Sequence, residues 1–238
     1  MILVSVILPV RNGGMYLESA LASLDQQYFQ DFEVIAIDDG STDNSHSILE
    51  EWATRNTRVK IISGNGRGIV DALNLGLGVA QGKYIARMDA DDIAMAHRFE
   101  QQIAVMESHP DIVGLGTAVV MVDPEGRMLR EIFPVVNHED IMTALHRGMG
   151  TALVHPTTMF RRAAVEQVGG YREAYRHVED FDLYLRLSDI GQLRNLAEIG
   201  LKYRQHAKSA NSQHSRLQRR LIVTCLKERG IDLDWSIE

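Results

Sequence analysis

Five acidic residues stand in two short stretches of this chain, Asp38 with Asp39, and Asp89 with Asp91 and Asp92. Carboxylates gathered in one place repel one another unless a cation or hydrogen-bond donors compensate them. An oxygen-only ligand set favours Mg²⁺ or Mn²⁺ over zinc, and an ion with few protein ligands keeps places for diphosphate oxygens and water. The chemistry these residues suggest is therefore a divalent cation held beneath a phosphorylated substrate. Asp, Gly and Ser are also what turns prefer, so the 38–43 stretch (DDGSTD) on its own fits a solvated turn or a helix cap equally well. The 89–92 stretch (DADD) follows an apolar run directly, and there the functional reading is the stronger one.

Both acid stretches sit at the ends of predicted strands. Ile2 to Leu8, Phe32 to Ile37, Val59 to Ile62 and Tyr84 to Met88 are short runs, mostly apolar on both faces, as buried parallel strands are. Leu17, Ala20, Leu21 and Leu24 recur at helical spacing, and helical patterns over 44–54 and 69–80 separate the later strands. Thr42 or Asp43 can cap the 44–54 helix. Alternating strands and helices predict an α/β fold whose mostly parallel central sheet is flanked by helices and carries its ligand at the carboxyl ends of the strands. That edge brings the two acid stretches together. Ile112 to Val122 and Met128 to Phe133 read as an added hairpin turning at Asp123-Pro124-Glu125-Gly126, and residues 212–229 as a C-terminal helix. The second half reads as a subdomain packed on the first.

Composition narrows the classes further. The chain has 238 residues, 45% hydrophobic and 24% charged, which are globular proportions. The single Cys225, set among apolar residues, excludes an intramolecular disulfide and reads as a buried, silent thiol. The apolar start, Met1 to Val10, lacks a preceding basic segment and is far short of the ~20 residues of a membrane span, so a cytoplasmic setting is expected. A net charge of −7 argues against nucleic acid as a partner. Only residues 201–238 are basic, with 8 Lys and Arg against 4 Asp and Glu. In the predicted tail helix Arg216, Arg219, Arg220, Lys227 and Arg229 accompany Leu217, Leu221, Ile222 and Leu226. Such a helix either lies on an anionic membrane at its inner face or docks its apolar stripe on the body.

Four segments carry a resemblance. Residues 4–12 (VSVILPVRN), 37–43 (IDDGSTD), 84–92 (YIARMDADD) and 179–187 (EDFDLYLRL) resemble, in order and spacing, the signatures of family 2 glycosyltransferases of the GT-A fold. The resemblance runs from residue 3 to about 210, and implies a GT-A domain over 1–210, with a nucleotide-binding half (1–110) and an acceptor and catalytic half (111–210), followed by a basic helical extension (211–238). It implies a metal-dependent, inverting, non-processive transfer of a sugar from a nucleotide-diphosphate sugar, usually a UDP-sugar, to a hydroxyl acceptor that is a saccharide or lipid-linked, in cell-surface polysaccharide or glycolipid assembly. A Gln-x-x-Arg-Trp motif, the mark of processive members, does not follow residue 180.

By the same resemblance Pro9, Asn12 and Asp39 line the nucleotide pocket, with Asp39 accepting a hydrogen bond from the base. Many members carry an aromatic residue where this chain has Arg11, whose guanidinium can also stack on a base. Arg67 faces the nucleotide or diphosphate. Asp89 reaches the ribose or the Mn²⁺ or Mg²⁺ ion, Asp91 holds the ion, and Asp92 supports them. Asp180 is the general base, with Glu179 its alternate, while Asp182 reads as structural. The 203–209 segment (YRQHAKS) closes over the diphosphate, and its His206 completes the metal site. The 155–160 stretch (HPTTMF) lies in the region that meets acceptor.

Two other classes share parts of this pattern. A nucleotidyltransferase would carry a Gly-rich basic loop after the first strand, and residues 9–14 (PVRNGG) hold one Arg and no Lys. A noncatalytic sugar-nucleotide binding protein would need the acid cluster without a base, so Asp180 discriminates. A dinucleotide dehydrogenase is disfavoured because no Gly-x-Gly-x-x-Gly follows the first strand.

Overall fold

The computed structural model describes residues 2–206 and 215–233. Its first half alternates as the hydrophobic pattern requires: β1 (Val4–Val10), α1 (Leu17–Asp25), β2 (Phe32–Asp38), α2 (Ser45–Arg55), β3 (Val59–Ser63), α3 (Ile69–Val79) and β4 (Tyr84–Arg87). β1 pairs in parallel with β2 and β4, and β2 with β3. Side chains alternate across this sheet. Val4, Val6 and Leu8 of β1 enter one core with Leu17, Leu21, Leu24 and Phe99, whereas Ile7 enters the other with Val70 and Leu73 of α3. A strand buried on both faces has no polar side to show, hence its continuous apolar run.

The second half is β5 (Ile93–Ala94), α4 (Arg98–Ser108), β6 (Ile112–Val122), β7 (Met128–Ile132), α5 (His138–His146), β8 (Met159–Arg161), α6 (Arg162–Gln167), α7 (Glu179–Leu187), β9 (Gln192–Arg204) and α8 (Ser215–Glu228). The strand order is β3-β2-β1-β4-β8-β6-β9-β5, with β7 paired to β6. The expectation of a mostly parallel sheet describes the first half. Beyond β4 the sheet is mixed: short β8 pairs antiparallel with both β4 and β6, and long β9 runs parallel to β6 but antiparallel to β5. The 155–160 stretch expected near acceptor therefore becomes a 3-10 turn and most of β8, with Pro156, Thr157, Met159 and Phe160 buried where the two halves join.

The added hairpin forms as read, with Gly126 at φ 84° after Pro124. The start of α2 differs: Ser45 opens it, and Asp43, instead of capping from the N-cap position, accepts the N–H of Gly14 at 3.0 Å and of Ser45 at 3.0 Å. α8 buries Ile222, Cys225 and Leu226 in the core shared with α7, leaving Arg216, Arg219, Arg220 and Lys227 exposed. Its apolar stripe is thus spent on the body, and burial pushes the Cys225 thiol up to about 12, the condition of an inert thiol. Positions 212–214 of the predicted tail helix, and residues 207–209 of the segment expected over the diphosphate, lie outside the described residues.

Candidate active site

β1 and β2 end side by side, and the loops that follow are stitched to each other. Asn12 adopts φ 53°, a left-handed conformation that Asn tolerates. Its N–H donates to Ser41 Oγ at 3.0 Å, and its Oδ1 accepts the Thr42 N–H at 2.8 Å. Asn12 therefore holds the two turns together. Asp38 caps the turn through Ser41 N–H (3.0 Å) and contacts His46 Nδ1 at 3.0 Å. Pro9 is buried in β1 opposite Ile37, and its ring brings no polar group to the site.

Asp39 is different. It is 3% exposed; Oδ2 accepts the Gly68 N–H at 2.8 Å and lies 3.4 Å from Arg11 Nη1, while Oδ1 is buried with no partner. A buried acceptor left unmade costs about 1–3 kcal/mol, so this oxygen is poised for a ligand's N–H. Gly64 makes room for it, since a Cβ there would come within 2.9 Å of that same oxygen. Arg67 is exposed on the adjoining loop. The cation lying over that loop is Arg176, which donates to the Arg67 carbonyl and packs against Gly68, where φ is 101° and a Cβ would meet its guanidinium carbon at 3.3 Å. The sequence reading did not single out Arg176; no local signal marks a residue placed by packing 109 positions away.

Past the end of β4, one oxygen each of Asp89, Asp91 and Asp92 lies within 4.8 Å of the others. Burial and the Asp89 charge raise the Asp91 carboxyl above its ordinary value, with His206 drawing it back. Burial and both neighbouring acids raise Asp92 well above it. Nη1 of the buried Arg87 pairs with Asp89; burial works against that guanidinium's charge, but Asp89 more than restores it. His206 Nε2 lies 2.8 Å from Asp91 Oδ2. Crowded carboxylates with raised affinity for protons, an adjacent imidazole and an unpartnered, buried Asp92 Oδ2 fit a divalent cation of the Mn²⁺ or Mg²⁺ kind. Asp92 itself supports from behind, accepting the Arg204 N–H at 2.8 Å.

α7 supplies the third group of acids. Its first residue, Glu179, is 8% exposed and accepts the His177 N–H at 2.7 Å. Burial and the Asp180 charge push its carboxyl up to about 7. Asp180 Oδ1 accepts the Phe181 N–H at 2.8 Å, yet burial lifts its carboxyl above the ordinary value against both that bond and the Arg87 charge. The helix start thus favours the anion less than desolvation opposes it. Asp180 feels the charges of both Arg87 and Asp89, so the start of α7 stands within electrostatic reach of the strand-end acids. Asp182 faces away from this chemistry, bonded to Arg186 Nη2 at 2.7 Å and to Arg172 Nε at 3.0 Å. His155 is buried against Tyr171 Oη (2.9 Å), and burial pushes its pKa well down.

The arrangement is one that can bind a nucleotide at Asp39, hold a cation under a diphosphate at Asp89 and Asp91, and present a carboxylate at Asp180. The family model described as Glycosyl transferase family 2 matches residues 5–169. The chain is 31% identical over 222 residues to the amylovoran biosynthesis glycosyltransferase AmsE of Erwinia amylovora, covering 90% of this chain and 82% of that one. Among solved structures, S. aureus TarS 1–349 in complex with UDP-GlcNAc superposes with a TM-score of 0.73 at 21% identity, over 98% of this chain and 68% of that one. The mannosyltransferase PcManGT from Pyrobaculum calidifontis, in complex with GDP-Man and Mn²⁺, gives 0.69 at 18% identity, over 97% and 65%. The chain belongs to glycosyltransferase family 2, on the GT-A fold. It is a glycosyltransferase.

Proposed function

We propose that this chain transfers a sugar from a nucleotide-diphosphate sugar to an acceptor hydroxyl with inversion at the anomeric carbon. The observation that carries the reading is the Asp89, Asp91 and Asp92 cluster past the end of β4, with Asp180 at the start of α7 near enough to feel Asp89 and Arg87 yet outside that cluster. Residues 1–110 then serve as the nucleotide-binding half, 111–210 as the acceptor and catalytic half, and 211–238 as an extension. The single unpartnered oxygen of Asp39 suits one imide N–H, which supports a UDP-sugar. Arg11, 56% exposed beside Asp39, offers a guanidinium plane for the base.

Asp89, Asp91 and His206 would hold Mn²⁺ or Mg²⁺, which supplies charge compensation for the departing diphosphate. Asp180 takes the proton of the acceptor hydroxyl as its oxygen bonds to the anomeric carbon, and the electron pair of the breaking bond leaves with the nucleoside diphosphate. Arg87 keeps Asp89 in place and adds positive charge beside Asp180, which helps that carboxyl remain an anion. For the acceptor, the similarity to AmsE supports a saccharide, carried on a lipid or not, in polysaccharide assembly. Among the described residues no helix is long and apolar enough to cross a membrane. In this reading the chain is cytoplasmic, and α8, its apolar stripe docked on the body, would meet an acceptor-bearing membrane only through the charge of its exposed arginines. Incubation with a panel of UDP- and GDP-sugars, Mn²⁺ and a candidate saccharide acceptor, with release of nucleoside diphosphate as the readout, tests the reading. Release dependent on sugar nucleotide, cation and acceptor together supports it, and absence of release across the panel counts against it.

A further inference from the structure

Arg204, the last residue of β9, is 5% exposed and joins three parts of the chain that are far apart in sequence. Its N–H donates to Asp92 Oδ1 at 2.8 Å and its Nε to the Asp91 carbonyl at 2.9 Å, so it grips the acid loop at two successive residues. Its Nη1 donates to the Pro124 carbonyl at 2.8 Å and the Asp123 carbonyl at 3.3 Å, in the hairpin turn between β6 and β7. Its guanidinium carbon stands 4.6 Å from the ring centroid of Tyr16, the residue that precedes α1. The Tyr16 ring also meets His206, with centroids 5.2 Å apart. His206 lies two residues beyond Arg204 and reaches Asp91 Oδ2.

We propose that Arg204 is the positioning residue of the cation site, fixing Asp91 and His206 toward each other from behind; the proposal rests on the reading of Asp89, Asp91 and His206 as cation ligands. The physical case is geometric. Asp91 and His206 come from loops 115 positions apart, and two free loops would spend conformational entropy each time a ligand required them to meet. Arg204 removes that cost beforehand. Its Nε bond holds the backbone of Asp91, its own N–H ties the start of the His206 segment to Asp92, and the Tyr16 ring contacts both its guanidinium and the imidazole. A planar guanidinium can serve several carbonyls and a ring face at once, whereas a lysine ammonium cannot reproduce that fork. Loss of such an outer support commonly costs 10–100-fold in metal affinity.

The test is Mn²⁺ binding, followed by the loss of the free-ion electron paramagnetic resonance signal, for the wild type, Arg204→Met, Arg204→Lys and Tyr16→Leu, each with UDP or GDP present. Arg204→Met should weaken Mn²⁺ binding at least about tenfold. Arg204→Lys should recover only part of the loss, and Tyr16→Leu should shift affinity in the same direction by less. Where turnover is measurable, the Mn²⁺ concentration for half-maximal rate should rise while the rate at saturating Mn²⁺ stays within a few-fold of wild type. A purely structural role would instead lower the folded fraction by circular dichroism and leave the affinity of what remains folded unchanged. If Arg204→Met does not fold, Arg204→Lys and Tyr16→Leu decide, and wild-type Mn²⁺ affinity in both overturns the proposal. A wild type that binds no Mn²⁺ with either nucleotide overturns the cation reading itself; a wild type that binds it, beside an Arg204→Met that binds equally well, overturns only the role of Arg204.

Discussion

Asp39 and Gly68 lie on loops 29 residues apart, yet the Gly68 N–H donates to Asp39 Oδ2 at 2.8 Å, while the other carboxylate oxygen is buried and unpartnered. A glycine is favoured at 68 because its φ of 101° strains any other residue, and a Cβ there would also crowd the Arg176 guanidinium. The pair leaves Asp39 with one oxygen spent on the fold and one without a partner, the group that the proposed function assigns to the nucleotide.

Asp39→Ala should accordingly weaken nucleoside diphosphate binding by about 1–3 kcal/mol, the range of a lost buried hydrogen bond, with little change in the rate at saturating donor. Isothermal calorimetry with UDP measures it. Unchanged affinity would remove Asp39 from the pocket.

Asp91 has the imidazole of His206 at 2.8 Å, which favours its anion, while burial and the like charge of Asp89 oppose it more strongly. Asp91→Asn should abolish cation binding and turnover while leaving the circular dichroism spectrum intact. Full activity of this variant, or of the wild type in excess chelator, would refute the assignment.

Asp180 is raised by burial, so its useful form as a base grows as the pH climbs through its folded pKa. Burial is the largest cause of that rise; Arg87 and the Phe181 N–H lower the pKa, while the Asp89 charge raises it. The wild-type rate should therefore rise with pH, and Asp180→Asn should cut turnover by roughly 10²–10⁴-fold with donor binding retained. NMR of the product should show inverted anomeric configuration, and retention would make Asp180 the wrong residue and the single displacement the wrong reaction.

Glu179 supplies a stability test. Its carboxyl is pushed from an ordinary 4.5 to about 7, so between those values the folded chain holds a proton that the unfolded chain has released. The stabilisation this gives is present on the acid side and is lost as the pH rises through about 7. Glu179→Gln, neutral throughout, should flatten that part of the Tm-against-pH curve and raise Tm at pH values above it. Superimposable curves for the two proteins would count against the burial of this carboxyl.

Arg98, fully buried, donates to the Arg87 carbonyl at 2.9 Å and to Gln102 Oε1 at 3.1 Å, and faces the charge of Asp92. Burial pulls its guanidinium down to about 9, which still leaves it charged at neutral pH. Arg98→Met leaves Asp92 without that countercharge and should destabilise the chain by about 3–5 kcal/mol in urea unfolding. Asp92→Asn combined with Arg98→Met should recover part of the loss. Strict additivity would show that the two charges do not interact.

The sequence by itself determined the first half of this protein and the identity of its acids. Burial on both faces makes β1, β2 and β4 nearly continuous apolar runs, and Asp39 and the 89–92 acids follow β2 and β4, so their meeting at one edge is implied by parallel pairing alone. Four ordered motifs were enough to identify the family. Local pattern could not show that β8, three residues long, would enter between β4 and β6, nor that β9, with polar residues along its length, would pair in parallel with β6. Nor could it mark Tyr16, Arg176 or Arg204, whose positions depend on loops brought together across the sheet. The ionisation of Asp180 likewise depends on the folded chain, since burial raises its pKa against the Phe181 N–H and the Arg87 charge. Hydrophobic periodicity and motifs act over a few neighbouring residues and can be read along the chain. Burial, charge coupling and side-chain convergence are sums over residues distant in sequence, and only the folded chain contains them.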